Sequence, residues 1–294
     1  MKTVGTVAIA AALAAGSLSA QAAAVLTSDL QSFAVLGASA VTNVPNNVIV
    51  GNLGVSPGSS ITGFLSLPGV AVPDPQVTSG NVHATTALAG QAQSDLTTAR
   101  NALSSLGAGT LLGVDLVGLT ILPGVYTVPA GTSNLTGAVT LDGQGDLNAL
   151  WVFQFASTLI TSPDAVVNVI NTGSGAGVFW NVGSSATLDL RTAFQGNILS
   201  LASITMKNSA KIGCGRALAE TGAVTMDMNT VNAILCDTVS GGEGSVGFAG
   251  NGGAGGVGGG NVPEPATSAL VLVALIGVAS TSRRRAQPVL AGPA

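Results

Sequence analysis

VFWNVGSSAT (178–187), GNILSLASIT (196–205) and RALAETGAVT (216–225) align without gaps. Each ends in threonine and continues with an apolar residue, Leu188, Met206 or Met226. An earlier pair is closer still, with TGAVTLD (136–142) returning as TGAVTMD (221–227) and VFQFASTL (152–159) resembling VFWNVGSSATL (178–188). A unit this short cannot bury a hydrophobic face alone, so it must stack on its neighbours as a solenoid. The residue types are Val, Ile, Thr, Phe and Leu in local alternation, broken by Gly, Ser and Asn, which is the chemistry of strands. Successive turns then pair as parallel strands along one axis.

One segment departs from this pattern. In SGNVHATTALAGQAQSDLTTARNALSSL (79–106), Leu88, Ala92, Leu96, Ala99, Leu103 and Leu106 recur at steps of three and four. The spacing predicts an amphipathic helix over about 79–106, capped at its start by Asn81 or Ser79 and ended by Gly107. Its alanines permit close approach to a flat sheet, which places the helix alongside the solenoid.

The ends of the chain read as addresses. Lys2, an apolar run (4–16) and the small-x-small site Ala20-Gln21-Ala22 form a secretory signal over 1–22. The body runs over 23–239 and is followed by a glycine-rich linker (240–261) that has no side chains from which to build a core. Then come Pro263, Glu264 and Pro265, an apolar stretch (266–282), the cluster Arg283, Arg284 and Arg285, and a tail over 286–294. The stretch is just long enough to span a bilayer, and the arginines would hold its end in the cytoplasm. This order resembles the PEP-CTERM sorting signal of Gram-negative bacteria. The resemblance implies an exosortase as partner, initial anchoring in the inner membrane, and display at the cell surface or release.

Composition excludes several classes. Only 7% of residues are charged, against about 25% in a typical globular domain. Five basic residues face thirteen acidic ones between 23 and 265, so there is no basic stripe for nucleic acid. The lone histidine, His83, offers neither a metal cluster nor a catalytic partner set, and reads as a surface or helix-flanking residue. GNGGAGGVGGG (250–260) lacks the lysine, strand and helix of a phosphate loop. No cofactor or metal is indicated. Polysaccharide-cleaving β-helices need clustered carboxylates. The repeat stacks Asp142, Asp189 and Asp227 on one face, but Lys207 intervenes, so the chain is read as a non-enzyme. Cys214 and Cys236 fall about one rung apart; in an exported chain they are expected to form a disulfide.

The body as a whole resembles a known family. FAVLGASAVTNVPNNVIVGNLGVSPGSSITGF (33–64), AQSDLTTARNAL (92–103), LPGVYTV (122–128), LDGQGDLNALWVFQ (141–154), VFWNVGSSATL (178–188), GNILSLASITM (196–206) and GRALAETGAVTMD (215–227) occur in the order seen in bacterial and fungal ice-binding proteins. The resemblance spans about 26–232. It implies an all-β fold, a discontinuous right-handed parallel β-helix with one long helix packed beside it, and adsorption to ice or ordered water through a flat face. If Leu188, Met206 and Met226 point inward, Thr187, Thr205 and Thr225 form an outward ladder that Thr140 and Thr158 extend. Asp142, Asp189, Lys207 and Asp227 stand two residues further on, and charged groups hold their own hydration. An ordinary solvated face therefore remains open beside an ice-binding one, as does a surface built on Thr42 and Thr62. The alternative function is an adhesive or structural protein of the extracellular matrix, associated with exopolysaccharide and without ice activity.

Overall fold

A computed structural model of the chain describes residues 25–173 and 175–233. The predicted signal, linker, sorting motif and tail lie outside these residues. Three parallel sheets of ten, eight and six strands wrap a single core. The chain passes from one sheet to the next at each corner; six circuits add one strand to every sheet, whereas those over 110–146 add none to the six-stranded sheet. Among the described residues no helix is long and apolar enough to cross a membrane.

The circuits do not stack in chain order. The coil carrying Ala217–Ala219, Val224–Asp227 and Thr230–Asn232 closes the repeat region, and its free side is filled by the first coil of the body. Val35 pairs with Ala217, Thr42 with Thr225 and Ile49 with Val231. The solenoid therefore runs from residue 110 to 232, is spliced onto 33–50, and continues to Val82–Ala84. An antiparallel pairing of Ala71–Val72 with Val82 and His83 closes that end.

The return journey between the two ends is made by the long helix α2 (Ala87–Ser105), which follows a short helix α1 (Ser28–Gln31) in chain order. Nineteen residues at about 1.5 Å each give roughly 28 Å, or about six rungs. The helix starts later than the sequence predicts. Val82–Ala84 is taken by the last parallel strand, so Asn81 and Ser79 precede a strand and Thr86 becomes the cap, its hydroxyl accepting from Ala89 N at 3.2 Å. The ending is as predicted, with Gly107 in the left-handed region (φ 80°). Ala89, Ala92, Leu96, Ala99 and Leu103 face the ten-stranded sheet and pack on Phe33, Leu36, Val152, Phe179, Leu199 and Leu218. That sheet is covered on both sides, so Gly177–Val182 is buried throughout instead of alternating. On its inner side Tyr126, Phe153 and Trp180 are in register, with ring centroids 5.7 and 4.2 Å apart.

His83 is helix-flanking but not a surface residue. It is buried against Phe33, and its Nδ1 lies 3.1 Å from the capping hydroxyl of Thr86. Burial lowers its pKa, which keeps the ring neutral at neutral pH. Cys214 is fully buried in the core; Cys236, its expected partner, lies outside the described residues.

Arg216 fastens the splice. It is the third-largest fully buried side chain. Its guanidinium donates to Gln31 O at the end of α1 (2.7 and 3.1 Å), to Ala233 O on the last coil (3.2 Å) and to Asn197 Oδ1 on the coil before (2.9 Å). Burial pushes its pKa down to about 9, so it stays charged at neutral pH, and the carbonyls supply what water would have given. Arg216→Ala removes these bonds together and should cost about 3 kcal/mol, measured as a lowered urea midpoint. The exposed Lys211→Ala should stay within about 0.5 kcal/mol of the parent. Equal midpoints for Arg216→Ala and the parent would refute the fastening role.

Candidate functional site: a threonine face

The six-stranded sheet is the face on which the aligned repeats meet. Leu188 pairs with Met206 and Met206 with Met226, and all three are buried, as the alternation predicts. Between the flanking inward residues, Thr187 pairs with Thr205, Thr205 with Thr225, Thr225 with Thr42 and Thr42 with Thr62. Five threonines thus occupy five successive rungs, over roughly 19 Å at about 4.8 Å per rung. Thr42 and Thr62 come from the start of the chain and enter this column only through the splice. The two surfaces weighed separately in the sequence are one.

Two members of the expected ladder stand elsewhere. Thr140 lies on the eight-stranded sheet, between Thr120 and Asn168. TGAVTLD and TGAVTMD therefore form strands on different sides of the solenoid. Strand chemistry sets which residues point inward, whereas the residue count between corners sets which side a strand joins, and an irregular stretch from Pro129 to Gly137 separates Thr140 from the preceding strand. Thr158 precedes Leu159–Ile160, and it is Ile160 that pairs with Thr187. Thr158 belongs to a second column, two residues upstream, with Ser185, Ser203, Ala223, Ala40 and Ser60. Backbone bonds from Leu159 N to Ser185 O, Ala186 N to Ser203 O and Ile204 N to Ala223 O carry the ladder through it. Its side chains are small. Ser185 Oγ accepts from Ser203 N and Ser203 Oγ from Ala223 N (3.3 and 3.2 Å), which turns these hydroxyls along the axis.

The charges lie along the opposite margin and are paired. Lys207 Nζ sits 3.0 Å from Asp189 Oδ2. The Leu190 N–H and then Lys207 hold the Asp189 carboxyl below its usual range. Asp227 accepts from Asn208 Nδ2 at 3.1 Å, and on the next rung the position is held by Val44. Beyond them the chain turns the corner through Asp164, Arg191, Ser209 and Met228, all left-handed (φ 51 to 62°), and Arg191 forks onto both oxygens of Asp164 at 2.7 Å. Asp142 is not in this group. It lies with Thr140 on the eight-stranded sheet and accepts from Gln144 N and Asn171 Nδ2. The three aspartates expected on one face are therefore divided between two, and among the described residues no group of His, Cys, Asp and Glu is placed to hold a metal. A cleft at the end of α2 is lined by Leu106, Gly109, Thr110, Pro123, Gly124, Val125 and Tyr126, which include no carboxylate.

The arrangement is also rigid. Threonine is β-branched and stiff at χ1, and the strands of Thr187, Thr205, Thr225 and Thr42 each have a hydrogen-bonded neighbour on both sides. Hydroxyls and methyls thus repeat at one-rung spacing with little freedom left to lose.

The profile of a family described as Ice-binding-like matches residues 35–232. An ice-binding protein of Nostoc sp. (strain HG1) is 48% identical over 201 residues, covering 68% of this chain and 71% of that protein. One from Flavobacterium frigoris (strain PS1) is 33% identical over 212 residues, covering 68% and 72%. The crystal structure of an ice-binding protein from an Antarctic biological consortium shares 39% identity at a TM-score of 0.60, covering 69% of this chain and 88% of that one. That from the ascomycete Antarctomyces psychrotrophicus shares 36% at 0.62, covering 71% and 98%.

The facing of the ladder is directly testable. Thr205→Tyr should change stability by no more than about 0.5 kcal/mol, whereas Met206→Ala, one residue on, should lose about 2–5 kcal/mol. Chemical denaturation reads both. The reverse order would show that the alternation is misassigned.

Proposed function

The chain belongs to the ice-binding-like family, and we propose that it adsorbs to ice through the threonine face. The observation that carries this reading is the unbroken column Thr187, Thr205, Thr225, Thr42 and Thr62. Adsorption to a crystal of water requires a surface that holds water in a regular array without binding it so strongly that the array is broken. A methyl excludes water from one side and a hydroxyl anchors it on the other, at a period fixed by backbone hydrogen bonds. Because the side chains are already ordered, little conformational entropy is lost on contact. The charges that would organise water their own way stand at the margin, where Lys207 and Asp189 neutralise one another and Asp227 is held by Asn208.

The test uses residues 23–239, which correspond to nearly the whole of the separately folded Antarctomyces relative. This body should inhibit ice recrystallisation and produce thermal hysteresis, and Thr205→Tyr should reduce both at unchanged stability. A folded body with no effect on ice would overturn the proposal and leave matrix adhesion as the better reading.

We propose further that the chain is exported and first held in the inner membrane by 266–282, with Pro263-Glu264-Pro265 as the processing signal. The motif order quoted above is what supports this reading. Export places Cys214 and Cys236 in an oxidising compartment, where a bridge would tie the segment after the last described coil to the core. In a Gram-negative host the full chain should fractionate with the envelope, a chain ending at residue 261 should be released, and thiol alkylation should require prior reduction. Cytoplasmic recovery with two free thiols would refute the assignment.

A further inference from the structure

The eight-stranded sheet is exposed along its outer side, and its composition changes partway along. Thr120 pairs with Thr140 and Thr140 with Asn168; beside them Ala138 pairs with Val166 and Val166 with Ala193. All six side chains face outward and are exposed or half-buried, flanking the buried Ile121, Val139, Leu141, Val167, Val169 and Phe194. None is charged. On the next rung Ala193 meets Lys211, an exposed cation. On one margin the Asp142 carboxylate accepts from Gln144 N in its own turn and from Asn171 Nδ2 on the neighbouring coil (both 2.9 Å). On the other, Asp164 and Arg191 neutralise one another.

We infer that this half of the eight-stranded sheet is a second ice-adsorbing patch, independent of the threonine column. The inference rests on the ice-binding reading above and extends it to a surface of different orientation. The same features recur: one-rung spacing, short or β-branched side chains fixed on a paired sheet, and charges confined to the borders. The position is also complementary. The threonine column begins at Thr187 and runs toward the closed end of the solenoid. The second patch runs from Thr120 to Ala193 in the other half. The two share only the coil that carries both Thr187 and Ala193. They lie on adjacent sides, so each must meet the crystal on its own, and together they present two differently directed planes.

Fluorescently labelled body (residues 23–239) is adsorbed to a single-crystal ice hemisphere and compared with Thr205→Tyr, Thr140→Tyr and the double variant. Asn168→Lys serves as a second substitution in the patch, and melting temperatures confirm that each variant is folded. The parent should label two sets of planes. Thr205→Tyr should lose one set and Thr140→Tyr or Asn168→Lys the other, and the double variant should lose both. Loss of all labelling with Thr205→Tyr alone, while Thr140→Tyr and Asn168→Lys label as the parent does, overturns the second patch and leaves the threonine face standing. A parent that labels no plane overturns both.

Discussion

Parallel backbone pairing at one rung per coil is the constraint on which everything else in the molecule depends. It fixes the spacing of the threonines and requires that each interior coil find a partner above and below. Among the described residues the coil ending at Asn232 has no later coil to meet, and the coil beginning at Phe33 has no earlier one. Their mutual pairing removes two exposed edges at once, and Arg216 joins it by holding Gln31, Asn197 and Ala233 together. Without that splice the threonine column would stop at Thr225. With it, two threonines from the beginning of the chain complete a surface begun near its end.

The covered side determines which sides of the molecule stay open to water. A sheet that packs on core within and on α2 without is buried on both surfaces, which is why VFWNV lacks alternation. The other two sides face water and alternate. Their inward residues build the core, and their outward residues are not dictated by packing. A polar seam sets α2 against the sheet: Gln93 donates to Ala219 O, Arg100 pairs with Glu220, and Gln154 donates to Leu103 O. The helix is thereby kept to one side and leaves the other two uncovered.

Much of this was legible in the sequence, and the failures have a common cause. The repeat identified the solenoid, the alternation placed Leu188, Met206 and Met226 inside, and a period of three and four located α2. The assignments that failed were those that needed a count across an irregular segment. Thr140 has the same neighbours in sequence as Thr225, yet lies on another side, because local pattern carries facing but not rotation about the axis. Thr158 missed the column by two residues for the same reason. The start of α2 was placed too early because Val82–Ala84 is claimed by a strand pairing with Leu53–Val55, a tertiary contact that no local signal encodes. Thr42 and Thr62 stand out in the sequence, but their union with the other threonines depends on a splice between segments about 180 residues apart.

That splice also dictates an order of events. The first strands to be made, Phe33–Gly37 and Ala40–Val44, pair on one side with strands that are nearly the last. Loop closure over such a distance comes late and slowly. While the rest of the body is being synthesised, this N-terminal segment therefore lacks one of its two lateral partners and cannot reach its final state. The connectivity that completes the threonine column also acts as a built-in timer, withholding closure until the last described coil has arrived.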